Sequence, residues 1–260
     1  MCNGFYHILA KTSLTEEDKK RLDKMFKRLK QEEALLKTIF SNIVLDNRNI
    51  LDIGTGQGFA CKFLVENSRN SLIITVDIDP LCLNRVRNVV GEKIKDIIFI
   101  KADLSNLCFL KSNFFHIALS HYTLSTIDEK KIHNVIREIH RVLVKNGLLI
   151  IVESFGLGKK DKARELALEL EAIYQKLTGE RSLGLDEFIQ PFKEFKGFNI
   201  IEIKKLNDGL IDPTMEDFAH FLLTLTDDND VKKKIRSIIE EGLKFGFREA
   251  PDYAIYLQKV

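Results

Sequence analysis

Apolar residues recur along this chain in two rhythms, and the change between them predicts its elements. Up to about Phe40 the positions Leu22, Met25, Phe26, Leu29, Leu36, Ile39 and Phe40 follow helical spacing, behind a capping box at Ser13-Leu14-Thr15-Glu16. The other face carries Lys19, Lys20, Lys24, Lys27 and Arg28 and reads as a solvated face on a packing helix, with an RNA-binding face as the alternative. From Asn49 onward, short apolar runs alternate with helical stretches, the pattern of a doubly wound α/β sheet. Strands are predicted at Asn49–Ile53, Ser71–Val76, Ile97–Lys101, Phe115–Ser120, Leu148–Glu153, Phe198–Lys204 and Tyr253–Lys259.

The intervening helices carry their own boundary signals. One begins after Gly58, and the next starts at Asp79-Pro80, an N-cap followed by proline at the first helical position. Thr126-Ile127-Asp128-Glu129 caps a helix that buries Ile132, Val135, Ile136, Ile139, Val142 and Leu143. Helices follow at Lys159–Leu177 and at Gly184–Phe195, the latter interrupted by Pro191. Two more, Thr214–Leu225 and Asp228–Phe245, fill the stretch between the sixth and seventh strands.

The chemistry concentrates at residues 51–58, LDIGTGQG, and at Asp77. Strand, glycine turn and helix present backbone N–H groups to a ligand at the edge of an open sheet. An acid ending the second strand can accept from both hydroxyls of a ribose. Together these predict an adenosine-containing ligand. The dinucleotide spacing G-x-G-x-x-G is not met, because its third glycine falls on Phe59, and no phosphate loop with its lysine is present in this segment.

At these residues the chain resembles the class I S-adenosylmethionine-dependent methyltransferases. The likeness runs from Asn49 to Val152 through LDIGTGQGF, VDIDP at 76–80, KADLSNL at 101–107, FFHIALSHYTLSTI at 114–127 and EIHRVLVKNGLLIIVES at 138–154. It implies a Rossmann-like, doubly wound seven-stranded sheet whose last strand is antiparallel. It also implies S-adenosylmethionine as cofactor and S-adenosylhomocysteine as product. Carried over residue by residue, it places Asp52, Gly54, Thr55, Gly56 and Gly58 at the methionine and ribose. Asp77 falls on the ribose diol, Ile78 against the adenine, Asp103 and Leu104 at the adenine edge, and Ser120 at the end of the fourth strand. Two positions depart from the family pattern: His116 stands where the fourth strand often has Asp, and Val144-Lys145-Asn146-Gly147 replaces the usual Lys-Pro-Gly-Gly turn. Neither change touches the expected cofactor contacts.

Composition narrows the acceptor. The chain has 260 residues, 45% of them apolar, with a net charge of +2. Basic residues are interleaved with acids, so no general affinity for nucleic acid or membrane is implied. Cysteines at 2, 61, 82 and 108 form no C-x-x-C pair, which argues for free thiols, a reducing cytoplasm and no metal site. No signal-peptide stretch or bilayer-length apolar run is present. The expected organisation is an N-terminal helical cap segment, 1–45, followed by a methyltransferase domain, 46–260, with a helical insert at 206–251. Strand six ends on the ligand edge of the sheet, so the insert starts and finishes there. It is read as a lid, with side packing or a dimer contact as the alternative.

The acceptor side rests on His121 and Glu153, at the ends of strands four and five. His121 is a candidate base or a pocket histidine. Glu153 is a candidate orienting group or base, or a helix cap. His116 reads as structural, and Tyr6 and His7 as residues that close over the cofactor. The leading expectation is methyl transfer to oxygen, nitrogen or carbon of a small molecule, by a monomer or homodimer. The alternatives are a tRNA, rRNA or protein acceptor, or a non-catalytic cofactor-binding partner subunit.

Overall fold

Seven strands form one sheet in the order β3-β2-β1-β4-β5-β7-β6, in a computed structural model that describes residues 15–180 and 182–260. The elements are helix α1 (Glu16–Ile39), β1 (Asn49–Ile53), α2 (Phe59–Glu66), β2 (Leu72–Asp77), α3 (Cys82–Val90), β3 (Ile97–Lys101), β4 (Phe115–His121), α4 (Glu129–Val142) and β5 (Leu143–Ser154). They continue with α5 (Lys162–Thr178), α6 (Leu185–Phe195), β6 (Phe198–Lys205), α7 (Met215–Leu222), α8 (Asn229–Phe245) and β7 (Asp252–Lys259). Strands β1 to β5 pair in parallel, and β7 runs antiparallel to both β5 and β6. The order reverses beside β1, between β2 and β4. That is the switch point where an open α/β sheet binds its ligand.

The central strands are apolar on both faces because helices cover both. Ile50, Ile53, Ile73, Val76, Leu119, Ile150 and Val152 are buried, and α1 and α2 add Leu36, Ile39, Phe63 and Leu64 to this core. Each such side chain contributes roughly 1.5–3 kcal/mol of burial. The chain divides into two compact units. The sheet unit comprises 33–154, 184–206 and 252–260; the helical unit takes the remaining described residues, including 207–251 and most of 155–183. The helical unit has its own core, in which Leu166, Ala167 and Leu170 of α5 pack with Ala219 and Leu222 of α7 and Ile235, Ile238 and Ile239 of α8. Among the described residues, no helix is long and apolar enough to cross a membrane.

Several boundaries differ from the sequence expectation. The first helix is capped two positions later than expected, by Thr15. Its Oγ1 accepts from Asp18 N at 3.1 Å, while the Asp18 carboxylate accepts from Thr15 N at 3.0 Å. Asp is shorter than Glu but completes the same reciprocal box; Ser13, Leu14, Tyr6, His7 and Cys2 lie outside the described residues. Phe26 is 53% exposed, so the apolar stripe is buried mainly in its second half. Asp79 does not cap α3. It makes a tight turn with Leu81 N at 2.9 Å, which leaves Pro80 ahead of a helix that starts at Cys82. The cap of α4 is Asp128, through Lys130 N. Pro191 lies within a continuous α6. Strand β5 begins at Leu143: the expected turn is a bulge inside the strand, with Asn146 at φ 61.

Arg28 is the largest departure. It belongs to no solvated face, because its side chain is only 15% exposed and pairs with Glu32 at 2.7 Å and Glu249 at 2.6 Å. Asp212 stands 3.8 Å away. Spacing alone could not show this, since Asp212 and Glu249 lie far from Arg28 in the chain.

Candidate active site

The turn after β1 takes its shape from three left-handed glycines, with φ of 78° at Gly54, 50° at Gly56 and 85° at Gly58. Gly56 has open space where a Cβ would project, whereas a Cβ on Gly54 would lie 2.1 Å from Thr123 Oγ1. The turn is therefore open on one side and closed by the loop after β4 on the other.

Asp77 ties the second strand to this turn. Its Oδ2 accepts from Gly56 N at 3.0 Å and its Oδ1 from Asp79 N at 2.9 Å. A carboxylate has about four acceptor positions, which leaves room for a ligand's hydroxyls. Ile78 beside it is 64% exposed, an apolar surface at the end of a strand that is otherwise buried.

Asp52 lies fully buried beneath the turn. Its Oδ2 accepts from Thr75 Oγ1 at 2.7 Å and Cys61 Sγ at 2.9 Å, and its Oδ1 has no hydrogen-bond partner among the described residues. Burial pushes the Asp52 carboxyl above its usual range, against the two donors that favour ionisation; burial likewise pushes the Cys61 thiol well up. Thr55 is buried, with its hydroxyl 2.5 Å from that of Thr75. Its side chain thus serves the buried network.

On the next loop, Asp103 Oδ1 accepts from Ser105 N and Oγ, and its Oδ2 from Lys131 Nζ at 2.7 Å. The Lys131 ammonium and the Ser105 donors hold the Asp103 carboxyl at about 2. Leu104 is buried. Helix α4 fixes this loop further: Glu138 accepts from Leu107 N, and Arg141 donates to the carbonyls of Leu107 and Leu110.

The end of β4 gathers the acceptor-side candidates. Ser120 is buried, and its hydroxyl has no partner among the described residues. The His121 ring lies 4.5 Å from that of Tyr122. Glu153 is 3% exposed, and burial raises its carboxyl above the usual range. It accepts from Ser125 N at 3.0 Å and Ser125 Oγ at 2.7 Å, which makes it the cap of the short 3-10 turn Leu124–Thr126. His116 accepts from Asn49 N at 3.0 Å, the structural role expected of it.

The motif reading passed over two residues that the structure brings to this edge. Tyr122 adopts φ 54, a strained conformation for a bulky residue. Its hydroxyl donates to Asp252, a buried acid at the start of β7. No local pattern distinguishes Asp252, because its role depends on β7 returning beside β5. Among the described residues, no cluster of His, Cys, Asp and Glu would hold a metal ion.

Comparisons with known proteins agree with this geometry. The chain is 23% identical over 201 residues to a carboxy-S-adenosyl-L-methionine synthase of a Nitratiruptor species, covering 74% of this chain and 81% of that protein. It is 25% identical over 162 residues to ribosomal RNA small subunit methyltransferase A of Mycoplasmopsis pulmonis, covering 61% of this chain and 57% of that one. The fold resembles geranyl diphosphate C-methyltransferase from Streptomyces coelicolor A3(2), a structure that contains S-adenosyl-L-homocysteine. The TM-score is 0.53 at 10% identity, covering 82% and 70% of the two chains. Residues 50–147, which contain the glycine turn, Asp77, Asp103 and His121, match the model of the methyltransferase domain family, and this part of the chain is a methyltransferase domain.

Proposed function

We propose that the enzyme moves the methyl group of S-adenosylmethionine to a small-molecule acceptor by in-line displacement. The sulfonium supplies an already activated methyl group, so the chain's task is alignment and exclusion of water. Asp77 binds the ribose diol through its remaining acceptor positions, and Ile78 and Leu104 flank the adenine. Asp103, held ionised by Lys131, accepts from the adenine amino group. Asp52 Oδ1 and the backbone of 54–58 face the methionine end, where a buried acceptor without a partner suits an ammonium group. Ser120 contacts the cofactor at the end of β4. His121 is the candidate general base; the capping of Ser125 argues that Glu153 orients rather than takes a proton. The helical segment 207–251 leaves β6 and returns at β7, and we assign it the role of a lid.

The observation that carries the small-molecule reading is the pairing of basic residues on α1. Lys19 pairs with Glu16, Arg21 with Glu17, Lys24 with Glu216, Lys27 with Asp23 and Lys37 with Glu33. A phosphate-binding face needs cations free to neutralise phosphates. The similarity to an rRNA methyltransferase favours the second reading, an RNA acceptor. Calorimetric titration with S-adenosylhomocysteine, with NAD as control, tests the cofactor site. A panel of labelled-methyl assays on metabolites and on tRNA and rRNA then tests the acceptor. Methylation of RNA alone sinks the small-molecule reading.

A further inference from the structure

The loop that follows β4 is held at both ends by buried carboxylates, one from β5 and one from β7. At its far end, Glu153 of β5 takes both Ser125 donors. At its near end, Asp252 Oδ1 accepts from Tyr122 Oη at 2.8 Å and from Ser154 Oγ at 2.7 Å. Asp252 is 2% exposed and pairs in register with Ser154, while its own carbonyl accepts from Leu206 N where β6 ends. It therefore stands where β5, β6 and β7 meet at the ligand edge. Tyr122 is the one residue among His121, Tyr122 and Thr123 with positive φ, at 54°. A bulky residue keeps that conformation only when its surroundings over-determine it. The next residue, Thr123, is the one pressed onto Gly54.

We infer that Asp252 is a positioning residue for methyl transfer: through Tyr122 it holds the backbone after β4 in its left-handed turn, which sets His121 on one side and seats Thr123 against the glycine turn on the other. The acid touches neither cofactor nor acceptor. It acts on the site through the tyrosine, which lies far from it in the sequence. The inference rests on reading this loop as a wall of the methyl-transfer site.

The test uses the full chain with Tyr122→Phe, Asp252→Ala, the double variant and Asp252→Asn. Two quantities are measured: amide hydrogen exchange of 121–126 without ligand, and affinity for S-adenosylhomocysteine by calorimetry. Tyr122→Phe and Asp252→Ala should each speed exchange in that segment about tenfold or more and weaken binding about tenfold. The double variant should be no worse than Asp252→Ala, because the tyrosine change removes a link that the loss of the Asp252 carboxylate has already broken. Asp252→Asn, which keeps an acceptor oxygen, should recover most of the affinity. Tyr122→Phe, which retains the ring, stands in if Asp252→Ala does not fold. Unchanged exchange in Tyr122→Phe, or losses that add in the double variant, overturns the positioning role. Absence of binding by the wild-type protein would instead strike the cofactor-site reading, while the ligand-free exchange still decides the role of Asp252.

Discussion

Thr123 closes on Gly54 so tightly that a methyl group at position 54 would sit 2.1 Å from its Oγ1 and 2.4 Å from its Cγ2. Gly54 also needs its φ of 78°, where an L side chain is strained by roughly 1–2 kcal/mol. Overpacking of this kind adds about 1–3 kcal/mol. Gly54→Ala should therefore lower unfolding stability by roughly 2–5 kcal/mol in urea melts. Thr123→Gly in the same chain should restore the steric part only. Full recovery would mean that the backbone conformation at 54 matters little.

This pair shows what a sequence can and cannot disclose. The glycine turn was legible because its spacing is local, and so were Asp77 and the strands, whose apolar runs lie between turn residues. Thr123 as the partner of Gly54 was not legible, since nothing in SHYTL says which residue folds back. The same holds for Arg28, which shares the spacing of solvated lysines and yet is half-buried among acids, two of them drawn from the distant segments around Asp212 and Glu249. Glu153 was visible as an acid at a strand end, but its work as the cap of Leu124–Thr126 depends on where Ser125 turns. The boundaries that slipped, at Asp79, Thr126 and Leu148, are those where several turn-forming or capping residues compete within a few positions.

On the proposed cofactor reading, Asp77 would couple a ribose contact to the turn itself, since Gly56 N donates to it. Asp77→Ala should weaken S-adenosylhomocysteine binding by roughly 1.5–3 kcal/mol, the scale of hydrogen bonds to a charged group. It should also speed amide exchange at Gly56. Asp77→Asn, with one acceptor oxygen left, should fall between the wild type and the alanine variant. Wild-type affinity in the alanine variant would remove Asp77 from the cofactor site.

Beneath the turn, Thr75 joins the hydroxyl of Thr55 to the carboxylate of Asp52. Thr75→Val keeps the volume and deletes both links. A buried polar group left without its partner costs about 1–3 kcal/mol, so the variant should be destabilised by that amount while Thr75→Ser stays near wild type. Loss of a donor to the charged form should also move Asp52 further above its ordinary range. Carbon-detected titration of the Asp52 carboxyl would show the shift; an unmoved titration would mean that the Thr75 hydroxyl does not help to set it.

In the helical unit, Arg28 serves three carboxylates: Glu32 on its own helix, and Asp212 and Glu249. Burial raises Glu249 to about 8, with Asp212 adding to the rise and Arg28, 2.6 Å away, opposing it. The ordinary value is 4.5, so between that value and 8 the folded chain holds a proton that the unfolded chain has released. Stability must then fall as pH rises across that window. Glu249→Gln imitates the protonated acid and cannot lose a proton. The variant should match the wild type near the lower end of that window, and its melting temperature should exceed that of the wild type at and above the upper end, with a flatter slope between. Thermal melts in closely spaced buffers measure both curves. Parallel slopes would show that Arg28 keeps Glu249 ionised throughout, and that the cluster is an ordinary ion pair.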